Sequence, residues 1–72
     1  MLNIMAKRLQ TLRQAREATQ EEVANVIGIT GAGYRGIEIG RRKPSLDVLL
    51  ALADYYDVSL DYLCGRDRYL ER

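Results

Sequence analysis

Apolar residues recur at the three-and-four spacing of helices in five stretches of this chain. In the first, residues 3 to about 17, Ile4 or Met5, Leu9, Leu12 and Ala15 share one side, while Lys7, Arg8, Gln10 and Arg16 fall elsewhere. Arg13 interrupts the apolar side next to Leu9 and Leu12. Spacing alone leaves it either solvated or taken inward with a partner. The second stretch, residues 20–27, places Val23, Ala24, Val26 and Ile27 together, and a third runs from 31 to about 39. The fourth follows Ser45, where Leu46, Leu49, Leu50, Leu52 and Ala53 supply a broad inward face. A short fifth carries Leu60, Tyr62 and Leu63. The pattern predicts a compact, all-α, five-helix domain over residues 1–65. Residues 66–72 form a short charged tail around Tyr69 and Leu70, compatible with either a helix or a frayed end.

The boundaries carry their own chemistry. Thr19 can cap the second helix, and Glu22, three residues on, completes a capping box. Gly28 suits the left-handed residue that ends such a helix, and Thr30 can cap the next. Ala24 is small where two helices must approach across a tight turn. Residues 19–40 therefore read as a helix-turn-helix, whose second helix lies in a DNA major groove. Beyond it, Gly40-Arg41-Arg42-Lys43-Pro44 is a basic turn closed by a proline that a helix interior does not tolerate. Ser45 and Ser59 cap the fourth and fifth helices, and Gly65 is a C-terminal stop.

Composition narrows the class. The chain has 72 residues, 47% of them apolar, with one Pro and no Trp or Phe, so Leu, Ile and Val fill a small core with help from five Tyr. The single Cys64 excludes an internal disulfide and is expected to be a reduced, mostly buried filler. No apolar run nears the roughly 20 residues that span a membrane, and residues 1–5 lack the core of a signal peptide. A soluble cytoplasmic protein is expected. Residues 1–43 hold eight Lys or Arg against four Glu, whereas residues 44–72 hold three Arg against six acids. The basic excess thus accompanies the helix-turn-helix, as a phosphate-facing surface requires.

Other chemistries find little purchase. There is no His, the cysteine is solitary, and the acids fall on helix caps and outward positions, so neither an enzyme, a metal site nor a cofactor is expected. Gly31-Ala32-Gly33-Tyr34-Arg35-Gly36 does spell G-x-G-x-x-G, and Asp54 lies at a ribose-binding distance downstream. A dinucleotide site, however, needs that turn to open a sustained helix within a parallel sheet. Pro44 cuts the following segment short, and no second strand is evident.

Taken together, Leu9…Leu12-Arg13, Thr19-Gln20-Glu21-Glu22-Val23-Ala24, Gly28-Ile29-Thr30, Ile37-Glu38…Gly40, Lys43-Pro44-Ser45, Leu49…Leu52-Ala53 and Val58-Ser59-Leu60-Asp61-Tyr62-Leu63 resemble the DNA-binding domain of the phage repressor and Cro family, the xenobiotic-response-element type of regulator. The resemblance runs from about Ala6 to Gly65. It implies a lambda-repressor-like five-helix fold that binds double-stranded operator DNA as a homodimer. Gln20 matches a glutamine that contacts the DNA backbone, and Arg13 and Glu38 match a pair joined inside the domain. Thr30 matches the first residue of the reading helix, and the base-reading positions fall on Gly31, Ala32, Arg35 and Gly36.

Those positions depart from the family pattern. Base readout needs donors and acceptors, and Gly31, Ala32 and Gly36 offer none, which leaves Arg35 as the main reader and Thr30 as a secondary one. Arg41, Arg42 and Lys43 are expected to hold phosphates, being in a turn beside that helix. The expected function is a repressor-like transcriptional regulator. The alternative is a protein-interaction module on the same fold, in which a smooth Gly and Ala helix admits another helix. Tyr62, Tyr69 and Leu70 are candidate dimer contacts, although Tyr62 equally suits the core.

Overall fold

The computed structural model describes residues 2–67. Five α-helices follow one another: α1 (Leu2–Ala15), α2 (Gln20–Ile27), α3 (Gly31–Glu38), α4 (Leu46–Tyr56) and α5 (Leu60–Cys64). There is no strand among the described residues. α1 packs on both α3 and α5, α2 on α3 and α4, and α4 on α5, so α3 is clasped from two sides. Met5, Leu9, Val23, Ala24, Tyr34, Ile37, Leu52, Ala53, Tyr56 and Leu63 form the core.

Four helices begin as their capping residues dictate. The side chains of Thr19, Thr30, Ser45 and Ser59 each accept a hydrogen bond from the backbone amide three residues on. α1 stops at Ala15, earlier than the spacing suggests. There the chain turns back, with Glu17 at φ 55° and the Ala18 amide donating to the Arg13 carbonyl at 3.2 Å. A non-glycine residue also takes the left-handed conformation at the end of α4, where Asp57 has φ 55°.

The apolar faces are narrower than the sequence pattern. α4 buries Leu52, Ala53 and Tyr56, while Leu46 stays 65% exposed and Leu50 43%. A helix that is apolar nearly all round has more apolar surface than its neighbours can cover, and α2 and α5 cover one side. Val26 on α2 is exposed as well. Cys64 is half-buried against the core, so it is a filler at the edge rather than in the middle. Tyr62 also packs on the core, with the Arg8 guanidinium 4.2 Å over its ring and donating to its carbonyl. Arg8 pairs in addition with Asp67 at 2.8 Å, which ties the first residues of the tail to α1. Tyr69 and Leu70 lie outside the described residues.

Candidate nucleic-acid interface

The α2–turn–α3 unit is built from short local bonds. Thr19 Oγ1 accepts from the Glu22 amide at 3.0 Å, and the Glu22 carboxylate accepts from the Thr19 amide at 2.8 Å, completing the capping box. Gly28 takes φ 87°, a conformation that costs a side chain-bearing residue about 1 kcal/mol or more, and its amide returns to the Ala24 carbonyl at 2.8 Å. Thr30 then caps α3 by accepting from the Gly33 amide at 3.0 Å. The inner side of α3 carries Tyr34, Ile37 and Glu38, all buried, while Ala32, Arg35 and Ile39 face outward.

A buried polar cluster fixes α3 against the rest of the domain. Arg13 Nε and Nη2 donate to the two carboxylate oxygens of Glu38 at 2.6 and 3.1 Å, and Arg13 Nη1 donates to the Ala18 carbonyl at 3.0 Å. The Glu38 side chain is 2% exposed and that of Arg13 18%. Gln20 donates to Glu38 at 3.2 Å, and Gln10 donates to the Glu38 carbonyl at 2.7 Å. Burial pushes the Glu38 carboxyl up, but hydrogen bonds from Arg13, Tyr34 and Gln20 outweigh it and hold the group below the ordinary carboxylate range. Arg13 is correspondingly held charged, chiefly by its hydrogen bond to Glu38. The phenol oxygens of Tyr34 and Tyr56 meet at 2.8 Å deep in the core. Burial, followed by the hydrogen bond to Glu38, pushes Tyr34 far above the usual phenol range. No buried side-chain nitrogen or oxygen among the described residues lacks a partner, which is the condition under which a polar core rigidifies a fold rather than weakening it.

The outward side of α3 is not bare, despite its glycines. A Cβ built on Gly31 falls 2.0 Å from Glu21 Oε1, so the Glu21 carboxylate from α2 occupies the space of the missing side chain. A Cβ on Gly36 falls 3.1, 3.2 and 3.3 Å from Cδ, Cγ and Cβ of Arg42, and one on Gly33 falls 3.5 Å from Arg42 Nη1. Arg42 therefore lies along α3, stem on Gly36 and head towards Gly33. Both of these glycines are buried, so Gly36 does not itself present backbone at the surface. The G-x-G-x-x-G glycines sit inside a capped helix, and the residues before them are helical rather than a strand, which leaves no phosphate-cradling loop.

The remaining predicted residues gather around the same face. Arg35 Nε approaches Gln20 Oε1 at 3.4 Å, so Gln20 spans the buried Glu38 and the exposed Arg35. Arg41, Arg42 and Lys43 are exposed in the turn after α3. The amides of Arg41 and Arg42 both donate to the Gly36 carbonyl, at 2.9 and 3.0 Å, and so fasten this turn to the end of α3. Glu21 and the path of Arg42 are features that the sequence reading missed. The only signal for them was a run of glycines within reach of long side chains on neighbouring segments.

A helix-turn-helix family model matches residues 9–63, a span covering the second half of α1, all of α2 to α4 and all of α5 but its last residue. The chain belongs to that family. This helix-turn-helix chain is 48% identical over 59 residues to the uncharacterised HTH-type transcriptional regulator YobD of Bacillus subtilis, a match covering 82% of this chain and 53% of that protein. It is 40% identical over 63 residues to the HTH-type transcriptional regulator ImmR of the same organism, covering 88% and 50%. It is 38% identical over 60 residues to the cryptic phage CTXphi transcriptional repressor RstR of Vibrio cholerae, covering 83% and 54%. The chain thus spans about half the length of the curated relatives it matches. No solved structure matches it. Among its described residues, no helix is long and apolar enough to cross a membrane.

Proposed function

We propose that this domain is the DNA-binding part of a cytoplasmic, repressor-like transcriptional regulator, acting on double-stranded operator DNA as a dimer. The observation that carries the reading is the placement of the exposed Ala32 and Arg35 of α3 beside an exposed basic turn, Arg41 to Lys43, whose side chains make no ion pair among the described residues. Cations beside a helix of this motif neutralise phosphates while the helix enters the major groove. Thr30 keeps its hydroxyl hydrogen to donate after capping α3, and Gln20 keeps a second amide hydrogen for a phosphate. Arg41 and Lys43 contribute phosphate contacts, and Arg35 reaches a base edge.

Dimer binding follows from size, because a single module of this kind buries little DNA and gains specificity when two half-sites are read together. The relatives' names, which speak of transcriptional regulators and a phage repressor, support the same class. The interaction-module alternative needs a smooth glycine surface on α3. Glu21 and Arg42 cover that surface, which favours DNA.

The test is selection from a random-sequence duplex library, followed by salt titration of the selected duplex. Affinity is expected to fall steeply with salt, and Lys43→Ala is expected to reduce the slope by about one while weakening all duplexes alike. Absence of binding to any duplex at low salt would overturn the reading.

A further inference from the structure

We propose that Arg42, delivered along α3 from the turn that follows it, is a base-reading residue of this domain, with Gly36 and Gly33 as its seat. The inference rests on the DNA-binding reading above and assigns to Arg42 a role different from that of Arg41 and Lys43. Three observations carry it. The Arg42 stem lies against Gly36, where a Cβ would come within 3.1–3.3 Å of three of its carbons. The two amides bonded to the Gly36 carbonyl fix the backbone from which that stem departs. Arg42 as a residue is exposed and makes no ion pair among the described residues, and its guanidinium points back towards Gly33, in the N-terminal half of α3.

Helix geometry turns that position into a function. At about 100° per residue, Gly36 lies only about 40° around α3 from Ala32, at the edge of the exposed face. The N-terminal half of the second helix is the part that meets base edges in this motif. Arg42 thus brings five donors to the place where α3 has only glycine and alanine, and a guanidinium can bond guanine O6 and N7 together. A phosphate-holding side chain needs no such seat, because it can swing with the backbone it follows. Gly36 acts through Arg42 and is a positioning residue.

The experiment compares the parent with Arg42→Ala, Arg42→Lys, Gly36→Leu and Lys43→Ala. Each binds the library-selected duplex, the same duplex changed one base pair at a time, and a duplex lacking the site. Arg42→Ala is expected to lose about 5- to 150-fold in affinity for the selected duplex, the range of one bidentate base contact. Discrimination at one base pair disappears, while the duplex lacking the site is affected much less. Arg42→Lys keeps affinity for that last duplex but not the discrimination, because an ammonium cannot form the fork. Gly36→Leu, which displaces the stem, loses discrimination at the same base pair. If its thermal melt shows it unfolded, Gly36→Ala is read instead, with a smaller loss at that base pair.

The inference is overturned if Arg42→Ala weakens every duplex by one factor, as Lys43→Ala is expected to. It is equally overturned if the folded Gly36 variant keeps the parental ranking. A parent that binds no duplex at low salt overturns the DNA-binding reading as well, so the two failures are told apart.

Discussion

Replacing Arg13 with Ala removes two hydrogen bonds from a carboxylate whose side chain is 2% exposed, and one from the Ala18 carbonyl. Glu38 then retains its hydrogen bonds from Gln20 and Tyr34 but no cation. Breaking a buried pair from one side costs about 3–5 kcal/mol. The lower end applies, since Arg13 is 18% exposed and water can enter where its side chain was. A domain of this size is stable by only about 4–11 kcal/mol, so a loss near 3 kcal/mol is a large share and lowers Tm by about 12–24 °C.

The pH dependence identifies the cause. In the parent, Glu38 has a folded pKa below its unfolded value of about 4.3, so its contribution is fully present above that value and is lost as pH falls through the folded one. Without Arg13, burial dominates and the folded pKa moves above the unfolded value. The penalty is then largest at neutral pH and shrinks as Glu38 takes up a proton. The measurement is urea unfolding of both proteins at pH 7 and pH 5. The gap between them is expected to narrow on acidification. A gap below about 1 kcal/mol at pH 7, or one that is the same at both pH values, refutes an ion pair that matters through burial.

Three further perturbations probe neighbouring parts. Thr19→Ala removes the acceptor for the Glu22 amide and is expected to cost about 1 kcal/mol in urea unfolding; no change would mean the box is redundant with tertiary packing. Tyr34→Phe strips a partner from both Tyr56 and Glu38 and should cost about 1–3 kcal/mol, whereas a neutral melt would show that water or rotation replaces the bond. Gly31→Gln forces Glu21 aside, since its oxygen lies 2.0 Å from the new Cβ, and adds an amide able to pair with adenine. Selection from random duplexes is expected to return a site with an added adenine preference, and an unchanged site shows that this position stays clear of the bases.

Where the helices begin and how the motif turns are set by local chemistry. Thr19, Thr30, Ser45 and Ser59 cap locally, and Gly28 reverses the chain by a conformation few other residues accept, so these features need no distant partner. The inward residues of α1 and α2 were legible in the same way at Leu9, Val23 and Ala24. Local pattern could not decide which parts of the over-apolar α4 find cover, and Leu46 and Leu50 ended outside because neighbouring helices reach only one side. Spacing left Arg13 open, and the resemblance supplied its partner. Only the folded chain brought Arg13 of α1 to within 2.6 Å of the Glu38 carboxylate on α3, the contact that lets Glu38 tolerate burial. The outer face of α3 shows the limit most plainly. A glycine states that a side chain is missing, but not which neighbour fills the space. That Glu21 lies over Gly31 and Arg42 over Gly36 depends on the angle between α2 and α3 and on the path of the turn after α3, both set by tertiary packing.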